Sequence, residues 1–449
     1  MGADTTLLIH GGTIMTMSPA LGTIEQGYIV CKGGKISEIG RGPYTPPESP
    51  ETERINAAGK LVLPGLINTH THAPMSLLGG IADDLPLMEW LNRYIFPLEA
   101  RVMSPDFVYV GTLLAGLSMV RSGTTTAGDG YFFEHDAARA LRDLGIRGVM
   151  AQGVIDFPNP QYQTPQEGFQ RIEEFIRRWS GSPLIRPALF CHSPYTCSPE
   201  SLTYAHRLSL DTGVTSMVHL AETRDEVEQI RQRYGTTPVR HMERLGILGP
   251  QVLAVHCVWL DEEEIRILAD HQVKVAHCPE SNMKLAAGIA PVPALLRAGV
   301  TVGLGTDGCA SNNNLDMFQE MDMAAKLHKV ATGDPTVMDA PTVLAMATTE
   351  AARALGLADE IGSLEPGKRA DIICLDLNQP HLTPLYNIPS QLVYAASGLD
   401  VDTVIINGEV LLADRRFTRC DPQEIMDEAK RWAGTVAQGT STLYSFSSP

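Results

Sequence analysis

Along the middle of the chain, short runs of apolar and small residues recur between stretches whose apolar positions repeat at helical spacing. Eight such runs stand out: Leu61 to Asn68, Thr124 to Gly128, Gly148 to Ile155, Arg186 to Cys191, Val214 to His219, Val252 to His256, Val273 to His277 and Val300 to Gly305. Because they are apolar or small throughout and do not alternate, they predict parallel strands buried on both faces, each followed by an amphipathic helix. The helix starts agree. Ser104-Pro105-Asp106 and Ser198-Pro199-Glu200 each offer a capping hydroxyl, a proline at the first helical position and an early acid. Eight strand–helix units in about 300 residues predict a closed (β/α)8 barrel, TIM-like and of the α/β class. A doubly wound open sheet is the alternative, but no run is followed by a G-x-G-x-x-G turn. Two connections, Ala73 to Met103 and Phe157 to Gly168, are long enough to cover the end of the barrel where the strands finish.

The two ends of the chain are patterned differently. Leu7-Leu8-Ile9 and Thr13-Ile14-Met15 flank Gly11-Gly12, and Tyr28-Ile29-Val30 and Lys35-Ile36 flank Gly33-Gly34, so two hairpins are expected. Near the other end Thr403 to Ile406 and Glu409 to Leu412 flank Asn407-Gly408, the strongest short hairpin cue. Neither piece alone buries much apolar surface, so the two are expected to combine into one small β-sandwich. The proline-rich stretch from Pro43 to Pro50 is expected as a surface loop of it. The domain reading is therefore residues 1–63 and 361–449 as two parts of the sandwich, the second with a terminal helix, around a barrel of residues 64–360.

Composition narrows the partners. With 35 basic and 52 acidic residues the formal charge is −17, which offers no phosphate-tracking surface, so nucleic acid is not an expected partner. A chain 44% hydrophobic and 19% charged can bury a large core and is poorly suited to disorder. No run approaches 18 apolar residues, and Met1-Gly2-Ala3-Asp4-Thr5-Thr6 lacks the features of a secretory leader, so no membrane partner and a cytoplasmic location are expected. The eight cysteines include no CxxC pair and read as free thiols.

Chemistry-bearing residues fall at the C-terminal ends of the predicted strands, where barrel active sites are built. His70 and His72 are two apart and share one face of a strand. His219 ends the fifth run, His256 the sixth, and Asp307 follows the eighth in Gly305-Thr306-Asp307. Glu222 lies three residues past His219. Three imidazoles and a carboxylate suit one divalent metal, Zn2+ or alternatively Fe2+, with a position left for water. Any single histidine of the 13 is more often structural than ligating; the ensemble at one end of several strands is what argues for metal. His277, followed by Cys278-Pro279-Glu280-Ser281-Asn282, reads as a structural residue before a bracing turn, and His10, His135, His206, His241, His271, His328 and His381 as core or surface residues. A second ion would need a bridging anion, often a carbamylated lysine, and no lysine occurs between Lys60 and Lys274.

With these residues the chain resembles the amidohydrolase superfamily, over nearly its whole length. The resemblance rests on Pro64-Gly65-Leu66-Ile67-Asn68-Thr69-His70-Thr71-His72, His219-x-x-Glu222, His256, Gly305-Thr306-Asp307-Gly308 and Gly367-Lys368-Arg369-Ala370-Asp371. Glu89-Trp90-Leu91 with Pro97-Leu98-Glu99, His192-Ser193-Pro194-Tyr195 and Gly308 to Asn314 make it similar, within that superfamily, to the deaminases of 5′-methylthioadenosine and S-adenosylhomocysteine. The resemblance implies that His70, His72, His219 and Asp307 hold the metal and that Glu222, His256 and Asp307 carry the chemistry. It also implies that Glu99 binds ribose hydroxyls, His192 contacts the purine, Glu222 meets the ring and Trp90 packs on the substrate. Against this, Trp90 could simply anchor a lid and Glu99 could be a solvated helix carboxylate. The implied partner is a small-molecule nucleoside, and related barrels commonly form homo-oligomers. The competing readings are a guanine-type deaminase or triazine chlorohydrolase with the same metal residues, and a non-catalytic barrel.

Overall fold

The structure, a computed structural model, describes residues 6–44 and 52–444. Most of the expected Pro43 to Pro50 loop lies outside these residues.

The N-terminal part supplies strands β1 (Thr6–Met15), β2 (Thr23–Lys32), β3 (Lys35–Arg41), β4 (Thr52–Asn56) and β5 (Lys60–Pro64). Eight strands follow: β6 (Leu66–Thr71), β7 (Thr124–Tyr131), β8 (Arg147–Val154), β9 (Ile185–Cys191), β10 (Ser216–Leu220), β11 (Val252–His256), β12 (Lys274–His277) and β13 (Val302–Leu304). The chain ends with β14 (Ile372–Asp376), β15 (Val401–Ile406), β16 (Glu409–Ala413), β17 (Arg416–Phe417) and a helix, Pro422–Tyr444.

Strands β6 to β13 lie side by side in chain order, every neighbouring pair parallel. Every residue of β7 and β8 is buried, as expected of strands walled by helices on one side and facing the barrel interior on the other. Alternate residues, Val149 and Ala151, Ala188 and Phe190, Leu253 and Val255, gather in one core with Ala351, Ala352 and Leu355. The first and last strands are joined where they finish. Thr69 Oγ1 donates to Leu304 O at 2.8 Å, and the N–H groups of Thr306 and Asp307 donate to His70 O at 3.1 and 3.0 Å. The ring is closed around the very residues that carry chemistry.

Two expectations need correcting. The run Leu61 to Asn68 is not one strand: Lys60–Pro64 pairs with β14 and β1 in the other sheet, and the barrel begins at Leu66. Pro64 donates no N–H, and a Cβ on Gly65 would lie 2.1 Å from the Thr125 side chain, so this pair is where the chain changes sheets. Nor is Gly11-Gly12 a hairpin turn. β1 runs straight through it with shifts of register at Gly12, where a Cβ would sit 2.8 Å from Ala57 O.

The other two turns form as the sequence indicates, with positive φ at Gly33 and Gly34 (55° and 77°) and at Asn407 and Gly408 (51° and 77°). The terminal strands make a nine-stranded sheet in the order β17-β16-β15-β14-β5-β1-β2-β3, with β4 beside β1. It curls on itself so that the two hairpin tips meet at Ala370, whose N–H donates to Gly34 O at 3.0 Å and whose carbonyl accepts the Gly408 N–H at 3.0 Å. Leu7, Ile9, Ile29, Ile36, Val62, Ile372 and Ile405 fill the sandwich so formed. Among the described residues no single helix is long and apolar enough to cross a membrane.

Candidate metal centre and active site

The four donors come from the ends of three strands. His70, in β6, and His72, just past its end, have ring centroids 4.7 Å apart. His72 Nδ1 donates to Gly130 O at 2.5 Å, which turns its Nε2 inward. His219 enters from β10 and Asp307 from the loop after β13. Four non-glycine residues at this end, Ala221, His256, Cys257 and Asp307, have φ of 52°, 73°, 49° and 59°. Such left-handed conformations are unfavourable for side chains of this kind and cluster at functional sites.

The four donors of His70, His72, His219 and Asp307 all lie within 4.8 Å of one another. Nε2 of His70 and of His219 are 3.2 Å apart, and Asp307 Oδ1 is 3.6 Å from His70 Nε2 and 3.3 Å from His72 Nε2. Burial drives the pKa of His70 down to about 4 and that of His219 well below its usual value, so both rings are neutral. For Asp307 burial acts upward, but the facing His70, His72 and His256 outweigh it and hold the carboxyl well below the ordinary range. Three imidazoles and a carboxylate converging on one point fit a divalent cation with an N3O donor set.

His256 stands apart from the four. Its Nδ1 meets Asn282 Oδ1 at 2.9 Å and its Nε2 lies 3.8 Å from Glu222 Oε1. Glu222 is buried, and burial followed by the Asp307 charge pushes its pKa up to about 8. Its main chain is held by Glu226, whose carboxylate accepts the N–H groups of Ala221 and Glu222 at 2.8 and 2.7 Å.

A cavity opens over this cluster and is walled on the far side by the lid that follows β6. Trp90, at the end of the helix Leu87–Trp90, is buried and lines it. A π-helical turn, Leu91–Ile95, leads into the helix Phe96–Val102, which carries Glu99. Glu99 is no solvated carboxylate: it lines the cavity, accepts the Tyr131 hydroxyl, and burial raises its pKa to about 7. His192 lies with its ring perpendicular to that of His219, centroids 5.0 Å apart, and its Nδ1 is 3.0 Å from Thr196 Oγ1. Burial lowers its pKa to about 3, so it too is neutral.

The second expected cover, Phe157 to Gly168, contributes no lining residue; Phe157 packs edge-on against Phe96 of the lid at 5.6 Å. His277 lies outside the cavity, its Nε2 3.0 Å from His328 Nε2. Sequence reasoning assigned no role to Tyr131, Glu226, Ser281, Asn282 or Ser311. Tyr131 ends β7 and could have been found by the strand-end rule applied to the second strand.

Residues 61–411 match the amidohydrolase family. The chain is 49% identical over 430 residues to 5-methylthioadenosine/S-adenosylhomocysteine deaminase of Syntrophobacter fumaroxidans, covering 96% of this chain and 98% of that one. It is 44% identical over 426 residues to 5′-deoxyadenosine deaminase of Methanosarcina acetivorans, covering 94% and 96%. Among solved structures, an adenosine deaminase from Xanthomonas campestris with bound zinc superposes with a TM-score of 0.93 at 38% identity, covering 97% of this chain and 99% of that one. A parallel barrel whose strand ends gather a His/Asp cluster able to hold a metal is the architecture of a barrel hydrolase. This chain belongs to the amidohydrolase family.

Proposed function

We propose that the protein is a metal-dependent deaminase of adenine nucleosides. It would convert 5′-methylthioadenosine, S-adenosylhomocysteine and related nucleosides to the inosyl product and ammonia. The observation that carries this reading is that one cavity joins the His70, His72, His219 and Asp307 cluster to a buried carboxylate, Glu99. A nucleoside needs such an acceptor for its ribose diol. A small free base or a triazine does not, which counts against a ring hydrolase of that kind.

Zinc suits three imidazoles and a carboxylate, and when bound there it supplies the Lewis acidity that makes water a nucleophile near neutral pH. Glu222 would take a proton from the attacking water and deliver it to ring N1, opening C6 to attack. His256, with Nδ1 committed to Asn282, presents Nε2 toward Glu222 and the incoming oxygen. The second proton of the water passes to the amino group, which leaves as ammonia, completing exchange of the C–N bond for a C–O bond. His192, neutral, offers a hydrogen bond to the purine, Glu99 accepts from the ribose hydroxyls and Trp90 covers the substrate.

Ammonia release from a panel of adenine nucleosides, free bases and triazines, with metal analysis of the same preparation, tests the reading. Turnover confined to free bases or triazines would sink it. Glu222→Gln is expected to retain zinc while kcat falls by about 10²- to 10⁴-fold, the usual worth of a general acid–base. Undiminished kcat would remove Glu222 from the chemistry.

A further inference from the structure

The helix Pro279–Lys284, which follows β12, supplies none of the four donors and no group that would meet substrate. Yet two adjacent side chains on it reach two residues that do. Ser281 Oγ donates to Asp307 Oδ2 at 2.7 Å. Ser311, in the helix Cys309–Asn312 after β13, donates to the same oxygen at 2.9 Å, and the two hydroxyl oxygens are 2.9 Å apart. One oxygen of Asp307 is thus enclosed by hydroxyls, while the other faces His70 and His72. One residue along, buried Asn282 accepts from His256 Nδ1, leaving Nε2 as the nitrogen turned to Glu222.

We propose that Pro279–Lys284 is the positioning element of this site: Ser281 and Ser311 together clamp Asp307 so that only Oδ1 is offered to the metal, while Asn282 fixes the orientation and tautomer of His256. The proposal rests on the metal reading given above. A carboxylate with both oxygens free could rotate or present both of them. Two hydroxyl donors on Oδ2 prevent this, and their charge-assisted hydrogen bonds are stronger than neutral ones. Because the donors come from the loops after β12 and β13, the clamp also ties together the two segments bordering the cluster on that side. Partners of this kind typically contribute about 10- to 100-fold to metal affinity.

The two halves make separable predictions. Zinc affinity, measured by competition with a chromogenic chelator, is expected to fall by about 10- to 100-fold in the S281A/S311A double variant. Ser281→Thr, which keeps the hydroxyl, is expected to recover most of it in the Ser311→Ala background. Asn282→Ala is expected to bind zinc as wild type does, yet to lose kcat and shift the pH profile of turnover. If the double variant does not fold, as judged by circular dichroism, the single Ala variants should each show a smaller loss of affinity. Zinc affinity unchanged on loss of the hydroxyls would overturn the clamp. An equal loss in Asn282→Ala would also overturn it, since that marks general loosening. Should the wild type turn over no adenine nucleoside, the functional reading falls, while the zinc measurements still decide the clamp.

Discussion

At the scale of single residues, Glu226 is a buried side chain outside the donor cluster that holds the main chain of Glu222. Its carboxylate receives two consecutive backbone N–H groups, those of Ala221 and Glu222, and Ala221 is held at a φ of 52°. A left-handed alanine persists only where its surroundings overdetermine it. Glu226→Gln turns one acceptor into a donor that faces an N–H, so one of the two bonds is lost. We expect kcat to fall about 10-fold or more as Glu222 leaves its aim, and stability to fall by about 1–3 kcal/mol, the cost of an unsatisfied buried group. Zinc content should be unchanged; steady-state kinetics with metal analysis and a urea melt check all three, and full activity would deny Glu226 this role. His70, His72, His219 and Asp307 were legible in the sequence because strand ends of a barrel converge by construction. Glu226, on the helix Arg224–Tyr234, and Ser281 and Asn282, on Pro279–Lys284, were not, because the approach of these helices to the site is set by packing.

At the scale of elements, the barrel strands were legible because helical walls require them to be apolar throughout. What periodicity does not register is a change of partner. The run from Leu61 to Asn68 is continuous in hydrophobicity, yet Pro64-Gly65 divides it between two sheets. Gly11-Gly12 failed for a related reason: a glycine pair permits a turn, but it equally permits close approach, here to Ala57. Gly305 is a third case of close approach, and one with consequences for the site. It lies where β13 meets β6, and a Cβ there would be 2.8 Å from His70 N and 2.9 Å from His70 O. Both neighbours are main chain and cannot rotate away. Gly305→Ala should therefore push the last strand off the first, costing about 1–3 kcal/mol as an overpacked core does, and displace Asp307 from His70 and His72. A lower urea midpoint together with reduced zinc per chain is the expected result. Wild-type values of both would mean that the closure tolerates a wider gap than the His70 contacts imply.

At the scale of the whole molecule, the union of the two termini into one sandwich was legible from their complementary hairpins, whereas its junction with the barrel was not. Beside shared apolar packing, that junction contains a buried ion pair. Arg147, at the foot of β8, donates from Nε to Asp371 Oδ2 at 2.6 Å and from Nη2 to Oδ1 at 3.0 Å, and both side chains are only 3% exposed. Asp371, just before β14, also accepts Asn407 N–H at 2.7 Å, so it braces the hairpin tip that touches Gly34. Nothing distinguishes Arg147 in the sequence among 35 basic residues. Burying two charges has a desolvation cost that their attraction largely offsets, so the pair adds little net stability, but removing one partner strands the other. Arg147→Met leaves an uncompensated carboxylate and Asp371→Asn an uncompensated guanidinium. Each single variant is expected to lose about 3–5 kcal/mol. The double variant R147M/D371N, whose introduced amide oxygen can still accept the Asn407 N–H, should lose much less than the sum. Urea unfolding followed by tryptophan fluorescence gives the three free energies and hence the coupling. Additive losses would show that the barrel and sandwich are joined by apolar packing alone, with Arg147 and Asp371 incidental to the junction.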